Sequence, residues 1–382
     1  MATTDPLTAQ RQIMLSLAYL AYAGETLPPF PSPDAQIAAL IDAALQNTAQ
    51  YPVIANRWTR VWGPVTWAVP GSSGQDNLLY VAKATSPPTG LAQYAVAVRG
   101  TNGKVYLDWL IEDFDVLPMM PYPGNASGGS ISESTNIGIT ILQQMVDPTS
   151  QQTLWQFLTS EMSALPQGTN ATIAFVGHSL GAALSSTLAL LARDTQSTWD
   201  PSGVATVTAT NFAGPTAGDT TFAAYLAQAF AISGTVPSWW TSPSVTPASF
   251  CDFVRQPLDV APLAWNQSTL VNVPSLYENI GVSLGWEDDA VATAIVTLIN
   301  EYVGPNDYTQ PNASAPQLTP MSDPNIPSKG APEGLDTFAE EAEWQHSIAY
   351  AEILGCGSLV SSDNANVPPV VKKLHAAALA NA

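Results

Sequence analysis

Positive charge is scarce in this chain. Lys and Arg together number 11 in 382 residues against 31 Asp and Glu, for a formal net charge of −20 and a pI near 4.1. Binding nucleic acid needs clustered Lys and Arg to neutralise phosphates, so nucleic acid is excluded as a partner. Cysteine is rarer still. Cys251 and Cys356 are the only two, which rules out a disulfide framework; one bridge or two buried thiols are the readings left, and so sparse a usage favours the thiols. Three scattered histidines and no cysteine pair argue against a catalytic zinc site. No cofactor is implied, although a structural calcium on carboxylates stays open. Long apolar runs are also lacking: the longest near the N-terminus, "IMLSLAYLAYAG" from Ile13 to Gly24, is too short to span a bilayer. It has the look of a signal h-region, but Asp5 precedes it and Arg11 alone supplies positive charge; the expectation is a buried helix and no transmembrane segment. No repeat of 20 to 50 residues points to a solenoid or propeller.

What is present is a globular composition, 46% hydrophobic and 11% charged. Strands are expected at Pro64–Val69, Asn77–Ala84, Ala92–Gly100, Ala171–Gly177, Val204–Gly214 and Phe250–Gln256, each β-branched or aromatic and bounded by turn residues. Helices are expected at Asn136–Met145 and Gly181–Arg193. Strands apolar along their whole length and alternating with helices indicate a mostly parallel sheet covered on both faces. The fold class is therefore α/β, read as one domain over residues 1–382. Two stretches interrupt it: Ala231–Ser249, with Trp239 and Trp240, and Tyr302–Pro332, rich in Pro, Asn and Ser. Loops this long are more often functional or disordered than inert, so residues 231–249 and 265–332 are candidate cap insertions. Between them Trp286–Gly304 reads as a helix, acidic in its first turn and stopped by Gly304.

The chemistry centres on "TIAFVGHSLGAALSS", Thr172 to Ser186. A buried-type strand ends at Gly177, a helix begins after Ser179, and Gly177 and Gly181 flank the serine two places away on each side. This is the pattern of a nucleophile elbow, in which a sharp strand-to-helix turn strains the serine backbone and leaves no room for side chains two positions away. A serine hydroxyl needs a base to take its proton, and the imidazole needs a carboxylate to fix its tautomer. Of the three histidines, His178 lies inside the elbow and is expected to pack beside it, and His375 lies near the chain end. His346, in "EAEWQHSIAYAEILG", follows a long irregular stretch and is expected to open a helix that delivers its ring to the site. In the chain order Ser, acid, His, Asp259 in "FCDFVRQPLDVAPL" is placed on the turn after a strand broken by Pro257. Asp219 in "AGPTAGD" is the runner-up; Asp252, inside the strand, is expected to face solvent or cap an edge.

With these residues in hand the sequence resembles the class 3 lipases, the family of filamentous-fungal triacylglycerol lipases and their bacterial relatives. The matching pieces are "LSLAYLAYA" (Leu15–Ala23), "YAVAVRGT" (Tyr94–Thr101), "DWLIEDF" (Asp108–Phe114), "VGHSLGAALSSTLAL" (Val176–Leu190), "NFAGPTAGD" (Asn211–Asp219), "FVRQPLDVAPL" (Phe253–Leu263) and "HSIAY" (His346–Tyr350). The resemblance implies an α/β-hydrolase fold, with Ser179 as nucleophile, Asp259 as acid and His346 as base. It further implies an oxyanion hole made by Thr101, through its main-chain NH and hydroxyl, and by the NH of Leu180, each aimed at charge that develops in the tetrahedral intermediate. It also puts a lid directly after the oxyanion strand, here residues 102–114, with Val105, Leu107, Trp109, Leu110 and Ile111 apolar. Such a helix covers the serine in water or turns its apolar face to lipid; a permanently packed helix is the competing reading. The chain departs from the family at "GGSISESTNIG" (Gly128–Gly138), which lacks the usual histidine and aromatic, and after the acid, where Val260 and Ala261 precede Pro262. These departures and the long spacings bear on substrate preference more than on mechanism.

The function expected is that of a serine carboxylic-ester hydrolase, first of all a triacylglycerol lipase, with a lipid or other ester as substrate and transient contact with a lipid interface. A short-chain carboxylesterase and a phospholipase A1 use the same triad, and the dense negative charge, which repels anionic membranes, tilts the reading towards neutral lipid or soluble esters. A non-catalytic binding protein on a hydrolase scaffold is the alternative from another class. Little lysine and much Ser, Thr, Asn and Ala suit an exported protein.

Overall fold

In the computed structural model, residues 6–68, 76–100, 118–232, 249–280, 292–293, 296–297, 306–312, 317–324 and 335–361 are described. Helices α1 (Pro6–Leu20) and α2 (Asp34–Ala44) come first, followed by strands β1 (Trp58–Trp67), β2 (Asn77–Ala84) and β3 (Leu91–Val98). A short antiparallel pair, β4 (Met119–Pro121) with β5 (Ser130–Ser132), leads into α3 (Glu133–Gln144) and α4 (Leu154–Ser163). The rest alternates: β6 (Asn170–His178), α5 (Leu180–Asp194), β7 (Ala205–Phe212), α6 (Thr220–Ala229) and β8 (Cys251–Val254), with α7 (Leu335–Ser347) and α8 (Ala349–Ile353) at the end.

Six strands form one sheet in the order β1-β2-β3-β6-β7-β8. The first two pairings are antiparallel and the last three parallel, so the expected mostly parallel sheet is present. Alternation within the apolar strands feeds two cores, as a doubly covered sheet requires. Ala95, Ala97, Ala174 and Val176 face a core shared with α1, α2 and α8. Tyr94, Val96, Val98, Ile173 and Phe175 face the other core, shared with α3, α4 and α5. Helix α5 is buried from Gly181 to Ala192, which is why its sequence is small and apolar all round.

The expected buried helix near the N-terminus is borne out: Met14 to Ala23 are buried. Three helices went unread in the sequence, α2, α4 and α6. The second begins with a capping box, in which the Thr153 side chain accepts from the Gln156 main-chain N–H and the Gln156 side chain accepts from the Thr153 N–H; the T-x-x-Q signature was there to be read. Strand β1 starts six residues earlier than the expected Pro64, because Trp58 to Arg60 already pair with β2. Most of the expected helix at Trp286–Gly304, the lid at 102–114 and most of the loop at 231–249 lie outside the described residues, while Ala292, Thr293, Val296 and Thr297 within the first are helical. Of the second cap insertion, Trp265 to Ile280 is the longest described stretch. It forms a third apolar cluster, in which Leu270, Val273 and Tyr277 pack with Val260, Ala261, Phe338 and Ala342, and partly buried Leu180 joins its edge. Both cysteines are buried and free.

Candidate active site

Strand β6 runs into Ser179 and α5 leaves it. Ser179 is the N-cap of α5, at φ 60° and ψ −136°, and is 7% exposed; such a conformation costs on the order of 1–3 kcal/mol and persists only where the surroundings enforce it. The enforcement is visible in three glycines. A Cβ on Gly177 would collide with the Gly181 carbonyl, one on Gly181 would lie 2.5 Å from the Val98 carbonyl oxygen, and one on Gly100 would lie 2.8 Å from the His178 carbonyl oxygen. The absence of side chains lets the end of β3 press against the elbow. Gly100 is thus held beside the first turn of α5, whose main-chain N–H groups and helix dipole favour negative charge. Leu180 heads that turn. Thr101, the other oxyanion residue expected, lies outside the described residues.

Asp259 and His346 meet. Asp259 sits on the turn after β8, fully buried, and its Oδ1 lies 3.0 Å from His346 Nδ1. The same oxygen accepts from the Ala261 N–H at 3.0 Å, and Oδ2 accepts from the Tyr350 hydroxyl at 2.8 Å. With a carboxylate at Nδ1 the imidazole carries its proton there, which leaves Nε2 with the basic lone pair. His346 does not open a helix as expected; it lies in the last turn of α7, one residue before Ser347 ends it. The helix breaks at Ile348 and resumes as α8, which carries Tyr350 back to the acid. Gln256 fastens the acid turn to α7: its Nε2 donates to the Gln345 carbonyl at 3.0 Å and to Gln345 Oε1 at 2.7 Å, while its Oε1 accepts from the Leu258 N–H at 3.0 Å.

His178, expected to pack beside the elbow, supports His346 directly. Its Nε2 is 2.8 Å from the His346 carbonyl and so donates, and the two rings lie 4.6 Å apart between centroids. The Tyr22 hydroxyl lies 3.3 Å from His178 Nδ1, and the edge of Tyr19 meets the His178 ring, while the Tyr19 hydroxyl donates to the Ser347 carbonyl at 2.6 Å. Burial first, and the nearby His346 second, hold the His178 pKa well below its usual value; it stays neutral and serves as a donor. The hydroxyl of Tyr350 is pushed well up by burial and by Asp259, so it keeps its proton and donates.

The other candidates have structural roles. Asp219 caps α6, accepting from the Phe222 N–H at 2.7 Å and the Ser130 N–H at 3.0 Å. Asp252 does not face solvent or cap an edge, a correction to the sequence reading: Arg11 of α1 grips both its oxygens at 2.7 and 2.9 Å, tying that helix to the edge strand. His375 lies outside the described residues. The Cys251 thiol is pushed well up and the Cys356 thiol to about 11, in both cases by burial, so neither is a ready nucleophile. Among the described residues no group of His, Cys, Asp and Glu is placed to hold a metal ion, and no helix is long and apolar enough to cross a membrane. Tyr19, Tyr22, Gln256 and Tyr350 are the residues the sequence reading left without a role. The spacing of Tyr350, four positions after His346, was the available signal.

Residues 95–236, which carry β3, the elbow and β7, match the family Lipase (class 3). Over that segment the chain resembles the class 3 lipases. Its structure superposes on that of M37 lipase with a TM-score of 0.74 at 27% identity, over 93% of this chain and 98% of that one. Lipase II from Rhizopus niveus is more distant, with a TM-score of 0.44 at 16% identity over 70% of this chain and 78% of that one. No curated protein matches the chain by sequence. The mostly parallel sheet and the likeness to M37 lipase make this an α/β-hydrolase fold and, with the matched segment, a lipase-type ester hydrolase.

Proposed function

We propose that this lipase-type ester hydrolase is a triacylglycerol lipase that works through an acyl-enzyme on Ser179. Ser179 attacks the ester carbonyl while His346 Nε2 takes its proton; Asp259 holds the imidazole in the required tautomer and stabilises its positive charge. The NH of Leu180 and the NH and hydroxyl of Thr101 receive the oxyanion, each such donor lowering the barrier by about 3 kcal/mol. His346 then protonates the leaving alcohol, activates a water and returns the enzyme to its starting state. The observation that carries the reading is the buried 3.0 Å contact of His346 with Asp259 beside an elbow whose serine is strained and flanked by obligatory glycines. The third apolar cluster, which reaches Leu180 next to the nucleophile, supports an apolar acyl chain as the substrate's bulk. The segment 102–114 acts in this proposal as a lid that opens at a lipid surface. A short-chain carboxylesterase and a phospholipase A1 are the rival assignments within the same chemistry.

Turnover of p-nitrophenyl esters of graded chain length by wild type and Ser179→Ala tests this. The proposal expects Ser179→Ala to lose at least a thousandfold in kcat and wild type to be fastest on long chains, rising above the substrate's solubility limit. Equal activity of the two proteins refutes the triad. A maximum on short chains with no rise at the solubility limit makes the enzyme an esterase.

A further inference from the structure

The acid and base of the proposed triad come from different elements, the turn after β8 and the last turn of α7, 87 positions apart in the chain. Two glutamines sit where these elements meet. Gln256 precedes Asp259 by three positions and Gln345 immediately precedes His346; they are 1% and 0% exposed. A buried amide is costly unless its two donors and its oxygen are all met, and here they are. Gln256 Nε2 donates to the main-chain carbonyl of Gln345 at 3.0 Å and to its Oε1 at 2.7 Å, while Gln256 Oε1 accepts from the Leu258 N–H at 3.0 Å. Gln345 Nε2 in turn donates to the Met321 carbonyl at 2.8 Å and to Glu341 Oε1 at 2.7 Å. A carbonyl accepts and cannot donate, so the main-chain carbonyls of Met321 and Gln345 dictate which end of each side chain is nitrogen.

The network reaches the acid by two routes. The Gln256 carbonyl accepts from the Asp259 N–H at 3.2 Å, which makes Gln256 the first residue of the turn that ends in the acid, with Pro257 in the second place that such turns favour. The Gln256 N–H donates to the Tyr350 hydroxyl at 3.3 Å, and that hydroxyl donates to Asp259 Oδ2 at 2.8 Å. The base is reached through the backbone, since the Gln345 carbonyl that Gln256 holds belongs to the peptide leading into His346. Apolar side chains of this length would fill the same space without setting the angle between turn and helix, whereas a fully satisfied polar network specifies one arrangement.

We infer that Gln256 and Gln345 form an amide clamp that positions Asp259 against His346. Neither side chain hydrogen-bonds a side chain of the triad, so both are positioning residues. Through the Met321 carbonyl the clamp also holds the segment 317–324, which is tied to the same turn where the Leu318 N–H meets the Arg255 carbonyl at 2.7 Å. The role assigned to the pair rests on the triad proposed above.

Gln256→Met and Gln345→Met, alone and combined, test it on a soluble short-chain p-nitrophenyl ester, together with the downfield proton signal of His346 Nδ1 in protein carrying isotope-labelled histidine, assigned by its loss in His346→Ala. A misplacement of about 1 Å costs on the order of a hundredfold in rate. Each single variant should lose at least about tenfold in kcat with KM changed by less than about twofold, and the double variant should lose little beyond the worse single, because the two residues act as a unit. The His346 signal should broaden or vanish in all three. Arg11→Ala, whose destabilisation lies away from the site, should keep both kcat and the signal, which separates positioning from loss of stability. Wild-type kcat and signal in the single variants, or losses that multiply in the double, overturn the clamp. Circular dichroism establishes folding; if a methionine variant does not fold, Gln256→Asn, which keeps the amide but falls one methylene short of Gln345, decides by the same readouts. The proton signal needs no turnover, so a wild type no more active than Ser179→Ala counts against the proposed ester chemistry while the signal still decides the clamp.

Discussion

At φ 60° and ψ −136° Ser179 leaves no latitude to its neighbours, and the constraint is steric rather than chemical. Gly177→Ala inserts a methyl into the Gly181 carbonyl, a backbone collision that a side-chain rotation cannot relieve. The expected loss is about 3 kcal/mol or more in chemical unfolding, with activity falling with it; a stable, active alanine variant would mean that the elbow is looser than described. Tyr350 acts more locally. Removing its hydroxyl takes one of the donors from the buried Asp259 carboxylate, and hydrogen bonds to charged groups are worth about 1.5–3 kcal/mol. Tyr350→Phe should therefore lower kcat about tenfold with KM little changed, since the loss lies in the support of His346 and not in substrate contact. Glu25, near the elbow, gives a pH signature. Burial pushes its carboxyl up to about 7 despite the opposing Arg99 guanidinium. A carboxyl raised in the folded state holds its proton there between its ordinary value and 7, so the stability it contributes is complete below about 4.5 and lost as pH rises through 7. Relative to Glu25→Gln, the wild type should lose roughly 3 kcal/mol between pH 4.5 and 8, measured by urea unfolding at both pH values; parallel stability curves for the two proteins would contradict it.

Among the elements, the elbow and the parallel strands were legible because their rules are local: β-branched runs, turn residues and glycine spacing act within a few residues. The acid turn was also legible, since Pro257 ends β8 just before Asp259. Less legible was how His346 arrives. Its helix ends near the histidine instead of beginning there: Phe338 and Ala342, at i and i+4, pack against the Trp265–Ile280 segment and His346 meets Asp259 and His178, tertiary contacts that no local pattern encodes. The roles of Asp252, Tyr19 and Tyr22 were hidden for the same reason, their partners being more than a hundred positions away. The Arg11 to Asp252 pair is the fastening of α1 to the edge strand, with both side chains mostly buried. Breaking one member leaves the other charge partly buried, so Arg11→Ala should cost about 1–3 kcal/mol in thermal or urea unfolding. Arg11→Met with Asp252→Leu should recover most of that, and failure to recover would assign the loss to packing and not to charge.

For the molecule as a whole, a net charge of −20 with only 11 basic residues means that the folded state repels itself and that anionic surfaces repel it. Raising NaCl from 0.05 to 0.5 M should raise the melting temperature by several degrees, as screening shortens the reach of that repulsion; a flat or falling response would show that pairing, not net charge, dominates. The same charge sets the substrate's surroundings: neutral lipid is approached more readily than anionic vesicles. These features modulate access to a single proposed event, the attack of Ser179 on an ester carbonyl. That event is tested most directly by treating the protein with an alkyl phosphonate ester, which traps an activated serine, and locating the adduct by peptide mass spectrometry. One adduct is expected, on Ser179, formed at a rate that falls at least a hundredfold in His346→Ala. An adduct on another residue, or none on a protein that hydrolyses esters, would contradict it.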